Sequence, residues 1–519
     1  MHYIRLIQVL YQLKLFSPVG LYKLLSAIRK YGMNLMALLG YAGKVYGNRI
    51  AIADERETLN YSQLLSQAEH LAILILHRYG IQNGHKVGIM SRNHACLIKS
   101  IFATSRLGAD VFLLNVEMSQ DQFDHLLARH DFQLIVYDAE VESLIECSSY
   151  SEKKIASYHD HLPAINDLLT ADTTDFPKLK RATMGKLVIL TGGTTGHSKA
   201  TEHQPSIVNY LNPFVALMTK LKLQKYRAVY IATPIYHGYG VAQCMLFMAM
   251  GAKIVICQKF DAAQACALIH EHHVEVVTVV PLMIHRMLKQ DVSRLSSLAC
   301  IVSGSAELDP KLVEEVRGKL GDIVYNLYGT SETGLNIIAT PQDLRLAANT
   351  IGRKIHGVKL RIVDDHNHEA QPGQIGQFCI LNKLSQLNGQ AWIETGDLGY
   401  RDDQGLYYLC GRIDDRIVSA GINVYPLELE QILNRHPLIE NSAVIGVPDD
   451  EFGQRLRAFV QLDYNSSITQ EQLLEWLRPR IARYQMPREI TFVSALPYTT
   501  VGKLNKKMLR KYSAIIEKQ

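Results

Sequence analysis

Several things are absent from this chain of 519 residues, and each absence excludes something. Its eight cysteines (96, 147, 244, 257, 266, 300, 379 and 410) contain no C-x-x-C pair. That excludes a disulfide framework or a zinc ribbon, and reads as small buried apolar residues in a reducing, cytoplasmic compartment. No uncharged apolar run reaches the length a transmembrane helix needs. No basic tract carries interleaved aromatics, and the net charge of +5 is modest, so nucleic acid is not an implied partner. No carboxylate occurs before Asp54. The preceding stretch carries Arg5, Lys14, Lys23, Arg29, Lys30, Lys44 and Arg49 among aliphatic residues, and Arg5, Gln8 and Gln12 break it too often for a signal peptide. Two expectations follow for residues 1–49. They form a basic amphipathic helix on an anionic membrane surface, such as the inner face, or they pack on the domain behind them.

What is present is most concentrated at residues 187–200, LVILTGGTTGHSKA. Leu187, Val188, Ile189 and Leu190 predict a short buried strand. Thr191, Gly192, Gly193, Thr194, Thr195 and Gly196 follow, and then Lys199. Glycines let backbone amides approach an oxyanion, threonine hydroxyls donate, and the lysine adds a mobile charge. This predicts a polyphosphate cradle. It is not a P-loop, because the spacing of Gly193, Gly196 and Lys199 does not fit G-x-x-x-x-G-K-[ST].

The length predicts more than one domain. From 187 to 327, β-rich runs at 229–233, 253–257, 274–280, 299–303 and 323–327 alternate with helical composition at 262–273 and 310–319, the latter opened by Asp309 as N-cap and Pro310. Residues 50–140 have the same style, with strands at 86–90 and 134–137 around a helix at 94–107. Such alternation predicts a parallel sheet covered by helices. After about 350 the pattern turns to strands with glycine turns. Beyond Asp414 it becomes a small α+β pattern, with helices at 426–434 and 469–482 and strands at 442–447, 457–462 and 489–493. The expected organisation is a basic N-terminal segment (1–49), a large α/β domain with a β-rich subdomain (50–413), and a small mobile α+β domain (414–519).

Further polar punctuations stand at the ends of the expected strands, where α/β folds carry their sites. They read IATPIYHGYG (231–240), SGSAEL (303–308), YNLYGTSETG (325–334), WIETGDLGY (392–400), GRIDDRIVSAGINVYPLELE (411–430) and LPYTTVGKL (496–504). In this order, and together with 191–199, they resemble the adenylate-forming superfamily of acyl-CoA synthetases, luciferases and peptide-synthetase adenylation domains. The resemblance covers about residues 50–510.

It implies ATP, Mg²⁺ and CoA as reactants or cofactors, and two half-reactions. A carboxylate attacks the α-phosphate of ATP to give acyl-AMP and pyrophosphate, and a thiol then displaces AMP. One anion must approach another, so cations and donors are needed where charge gathers. By resemblance, Thr191 to Lys199 grips the β- and γ-phosphates, Glu332 ligates Mg²⁺, and Ser331 meets the α-phosphate. Tyr328, beside Gly329, stacks on adenine, and the nucleotide contacts extend to Ser303, Gly304 and Ser305. Asp397 and Arg412 hold the ribose diol. Lys503 is the catalytic lysine, His237 lies beside the substrate carboxylate, Asp414 is the hinge, and Gly421 belongs to the region presented for the second half-reaction. Asp402, Asp403, Asp415 and Arg416 read as surface charge. The chain departs from the usual pattern at Gly192 (serine), Ser198 (proline), Ala200 (glycine) and Ser331 (threonine), and looks short between Asn382 and Trp392. None of these removes a charge that the mechanism needs.

Amino-acid-activating relatives place an aspartate where this chain has Gly238, and 236–242 contains no acid. An ammonium buried there would lack a partner, which excludes an α-amino acid substrate. Gly238, Gly240 and Gly304 suggest room for an acyl chain or ring. The expectation is a medium- or long-chain fatty acid joined to CoA. The alternatives are an aryl-acid CoA ligase, an enzyme loading an acyl-carrier protein, and a catalytically silent nucleotide-binding protein.

Overall fold

The computed structural model describes residues 17–159, 163–173, 176–183, 185–192, 198–203, 207–330, 332–382, 391–419, 422–449, 452–464, 466–499 and 502–516. They fall into two compact units, one taking in residues up to 279 with 286–302, the other 280–285 with 303 onward.

The first unit holds the parallel sheets the alternation predicts. One runs in the order Lys153–Ala156, Leu134–Tyr137, Lys86–Met90, Asp110–Leu113, Leu187–Gly192, Ser198–His203. Its strands are parallel except the last, which turns back antiparallel on Leu187–Gly192. The inner strands 86–90, 110–113, 134–137 and 187–190 are near-continuous apolar runs because helices cover them; Ala95–Arg106, for instance, is buried along its whole length. The second sheet places Ile50–Ala53, Lys253–Val255, Ala228–Ile231 and Val276–Val279 side by side and parallel, with Thr58–Asn60 antiparallel at the Ile50–Ala53 side. Helix Leu35–Tyr46 starts on the Asn34 side chain, which accepts the Ala37 amide, and buries Met36, Leu39, Tyr41 and Tyr46. That stretch therefore packs on its own unit, as one of the two N-terminal expectations has it. Residues 1–16 lie outside the described set. Seven of the eight cysteines are buried as expected; Cys147 is exposed.

The second unit is layered from antiparallel pieces. Val324–Thr330 pairs with Gly334–Ala339, and that strand with Arg353–Lys354. A four-stranded sheet runs Leu360–Val363, Gly376–Asn382, Ala391–Arg401, Tyr407–Arg412. Tyr328, Ile337, Phe378 and Tyr407 form one core around these strands. Toward the C-terminus, Ile439–Asp449 and Gly453–Leu462 form a hairpin, with Glu489–Val493 parallel on its edge. Leu429, Leu433, Val444, Leu456 and Leu473 close that core. The capping box expected at Thr469 and Gln472 is present.

Candidate active site

The glycine-threonine run lies on a hairpin in the first unit. Thr191 faces Lys199 and Gly192 faces Ser198 across antiparallel strands. The sequence reading had placed a strand only before the run; the structure adds Ser198–His203 after it. The tip, with Gly193, Thr194, Thr195 and Gly196, lies outside the described residues, as do Ser331 and Gly421.

His237 is also in the first unit and N-caps helix Gly238–Met250. Its backbone N–H donates to Pro234 O at 3.2 Å, and its ring is tilted against Tyr236 at 4.6 Å. The Tyr239 hydroxyl donates to Val302 O at 2.8 Å. Gly240 does not leave room for a substrate, contrary to the sequence reading. A Cβ there would stand 2.1 Å from Pro234 O, so backbone already fills the space, and its smallness lets the helix start close to the preceding loop. At Gly238 the nearest atom to such a Cβ is Ile189 Cδ1 at 3.8 Å, ordinary contact, so the position remains open.

The second unit assembles most of the other candidates. Asp397 and Arg412 are directly opposed on neighbouring antiparallel strands. Arg412 Nη1 donates to Asp397 Oδ1 at 2.9 Å and to Thr395 O at 3.3 Å. The Tyr328 hydroxyl donates to the other carboxylate oxygen at 2.7 Å. Burial, with the Asp397 charge beside it, pushes the Tyr328 phenol well up, so it stays a donor. Its ring lies edge-on to Phe378. The hydrogen bond from Tyr328 to Asp397 was not visible in the sequence, where the tyrosine read only as an aromatic surface for adenine. Gly396 has φ +74°, and a Cβ on it would lie 2.9 Å from Arg412 Nη2, so the guanidinium lies over a bare backbone.

Lys503 sits on a tight turn. Thr499 N donates to Lys503 O at 2.7 Å, Lys503 N donates to Thr499 Oγ1 at 3.1 Å, and Tyr498 bridges to Leu504. Gly502 has φ +71°, and its missing side chain is replaced by Val280, whose Cγ2 would stand 2.6 Å from a Cβ. Lys503 is exposed at the surface. Desolvation pulls its ammonium below the usual lysine range; Asp397 opposes that shift and Arg412 adds to it. The lysine, the aspartate and the arginine therefore share one electrostatic neighbourhood. Glu332 holds an exposed carboxylate at the turn between Val324–Thr330 and Gly334–Ala339.

Ser303 is buried with an unpaired Oγ, and Ser305 has φ +66°, uncommon for a residue with a Cβ. Two residues on, Glu307 accepts from Gln431 Nε2 at 2.8 Å. It too is exposed at the surface, yet desolvation by the surrounding protein pushes its carboxyl up to about 8. Sequence reading missed Glu307, although an acid inside a strand-end motif was the available signal. Asp414 is exposed within the single turn Ile413–Asp415. Its neighbours make exposed ion pairs, Asp415 with Arg510 at 2.7 Å and Arg416 with Asp365 at 3.3 Å, in keeping with their reading as surface charge.

Residues 41–384 match the model of the AMP-binding enzyme family, and 428–503 match that of the AMP-binding enzyme C-terminal domain. Over 485 residues the chain is 28% identical to the 2-succinylbenzoate–CoA ligase of Bacillus thuringiensis subsp. konkukian, covering 89% of this chain and 95% of that protein. Among solved structures, ATP-bound MatB from Rhodopseudomonas palustris superposes with a TM-score of 0.80 at 24% identity, over 92% of this chain and 99% of that one. The anthranilate CoA ligase AuaEII in complex with anthranoyl-AMP gives 0.83 at 22% identity, over 95% and 99%. At these identities the two structures speak to the fold.

Proposed function

The chain belongs to the AMP-binding enzyme family, as an acid–thiol ligase of the acyl-CoA synthetase class, and we propose that the acid it activates is an aryl acid. The relatives named 2-succinylbenzoate–CoA ligases support the acid class. The observation that carries the chemistry is the cluster of Tyr328, Asp397 and Arg412 with Lys503 in its field.

In this reading Asp397 and Arg412 hold the ribose diol of ATP. Tyr328 fixes the carboxylate so that it presents one defined edge. Lys503 supplies positive charge as the acid's carboxylate attacks the α-phosphate, offsetting the repulsion between two anions. The hairpin at 191–199 grips the departing pyrophosphate, and His237 orients the attacking carboxylate. Among the described residues no group of three or more His, Cys, Asp or Glu could hold a metal by itself. The lone exposed carboxylate of Glu332 suits Mg²⁺ bound mainly through ATP oxygens. When bound, that ion neutralises phosphate charge. CoA then displaces AMP from the acyl-adenylate.

The test is a pyrophosphate-release screen with 2-succinylbenzoate, simpler aryl acids, fatty acids and amino acids, with and without CoA. Preference for an aryl acid is expected. Higher kcat/KM on a fatty acid overturns the acid class, and release with no acid at all overturns the ligase. A fatty acid is the second reading, favoured by the apolar side chains that helix Pro18–Tyr31 exposes.

A further inference from the structure

Helix Pro18–Tyr31 is built inside out for a helix that ends at its own protein. Ser17 caps it, its Oγ accepting the Gly20 N–H at 3.0 Å. The residues it buries are Gly20, Ala27 and Tyr31, two of them small. Leu24 and Ile28 are half-buried, but four large apolar side chains point the other way. Val19 is 64% exposed, Leu21 48%, Tyr22 72% and Leu25 56%. At 100° per residue these four fall on the solvent face, with Tyr22, Leu25 and Arg29 at i, i+3 and i+7. A surface helix ordinarily shows water its charged face and keeps its apolar stripe for the core. Single exposed apolar residues need no explanation, but a contiguous ridge of them does.

Within the stretch that carries the ridge, the charge is of one sign. From residue 17 to 53 the chain has Lys23, Arg29, Lys30, Lys44 and Arg49 and no carboxylate. Lys30 is paired with Glu69 at 2.5 Å, and Lys23 donates to Lys44 O at 2.7 Å; Arg29 is exposed at the end of the ridge. A second copy of the chain would bring the same cationic stretch against itself, with no acid from it to compensate. An anionic bilayer supplies both complements, phosphates for the cations and hydrocarbon for the ridge. No described helix is long and apolar enough to cross a membrane, so this one would lie along it.

We propose that helix Pro18–Tyr31 seats the protein on an anionic lipid surface, with Val19, Leu21, Tyr22 and Leu25 entering the head-group boundary and Arg29 among the phosphates. The proposal does not depend on which acid the enzyme activates.

Co-sedimentation of the full chain with vesicles tests it. The wild type should bind vesicles containing phosphatidylglycerol, bind phosphatidylcholine vesicles weakly, and release as salt rises. Tyr22→Glu with Leu25→Glu should lower the bound fraction by about tenfold or more, since apolar burial drives interfacial binding. Arg29→Gln should weaken binding to the anionic vesicles alone. All three positions are exposed, so pyrophosphate release with a water-soluble acid should be unchanged, which also separates this test from that of the ligase. No binding by the wild type, or equal binding by the double variant, overturns the proposal. So does self-association in sedimentation velocity that the double variant abolishes, because the ridge would then serve a second copy.

Discussion

The Gln431 side-chain amide donates to the Glu307 carboxyl at 2.8 Å, across 124 residues of sequence. Two neighbouring positions make the same kind of link: Asp309 Oδ2 accepts from Asn434 Nδ2 at 2.8 Å, and Lys311 Nζ donates to Ile439 O at 2.9 Å. Positions 307, 309 and 311 thus form a polar seam to the helix Pro426–Leu433 and the strand after it. On the Lys503 turn, Gly502 packs on Val280.

Glu307 gives that seam a pH dependence. Its carboxyl titrates near 8 in the folded protein, with desolvation as the main cause, and near 4.5 when unfolded. The folded state therefore binds the extra proton between these values. The corresponding stability is full below about 4.5 and is lost as pH rises through about 8. Glu307→Gln keeps an acceptor for Gln431 but cannot ionise. Urea melts at pH 5.5 and pH 8.5 should show the variant gaining on the wild type at the higher pH. Parallel curves would mean that Glu307 is not held neutral.

Lys503→Ala should reduce acid-dependent pyrophosphate release by roughly 10²–10³, the usual loss when one preorganised charge-stabilising donor goes. ATP binding should largely remain. Because desolvation pulls the ammonium below the usual lysine value, the alkaline limb of the wild-type rate should set in earlier than for an exposed lysine. Lys503→Arg should lose that limb, since a guanidinium stays charged.

Tyr328→Phe removes the donor to Asp397 and leaves one carboxylate oxygen of a largely buried group without it. Leaving a buried acceptor unpaired costs about 1–3 kcal/mol. If Asp397 holds the ribose, the loss should appear chiefly as a raised KM for ATP, about tenfold, at little changed kcat. A fall in kcat alone would place Tyr328 elsewhere in the reaction.

Gly396→Ala separates backbone strain from side-chain displacement. Gly396 and Gly373 both have positive φ, +74° and +82°, so alanine at either strains the turn by about 1–2 kcal/mol. A Cβ at Gly373 meets nothing within 4 Å, whereas one at Gly396 lies 2.9 Å from Arg412 Nη2. Both variants should lose similar stability to urea. Only Gly396→Ala should lose adenylation, as Arg412 moves off Asp397.

Much of the frame was legible because local pattern and burial agree. The strands Lys86–Met90, Leu134–Tyr137 and Glu489–Val493 fall where their apolar runs predict. The helix expected over 469–482 stops at Leu477: Arg478 keeps helical backbone as its C-cap, and Pro479, which lacks the N–H, cannot continue the hydrogen-bond ladder. Asp397 and Arg412 were each picked out by motif. That they face each other follows from strand register, which depends on a bulge between Leu398 and Gly399 that no local signal announces. Glu307 and Gln431 were missed because their meeting is tertiary. Gly240 was misread because a glycine opening space for a ligand and one making way for Pro234 O look the same in sequence.

Asp414 remains a proposed hinge, and its surroundings make the proposal specific. It stands exposed in the turn Ile413–Asp415, while Asp415 is held by Arg510 and Arg416 by Asp365. If the small C-terminal domain turns about this point between half-reactions, these ion pairs carry the motion outward and Asp414 absorbs the change in φ and ψ. Proline fixes φ near −65° and removes the N–H, so Asp414→Pro should lock the turn near its present setting. Here Lys503 shares the field of Asp397 and Arg412, the arrangement suited to adenylation. The variant should therefore still form acyl-AMP, within about threefold of wild type by pyrophosphate release, and lose thioester formation by about a hundredfold by CoA consumption, as expected when a gating motion is blocked. Asp414→Ala keeps the backbone free and should retain both steps. Equal loss of both half-reactions in the proline variant would remove Asp414 as the hinge.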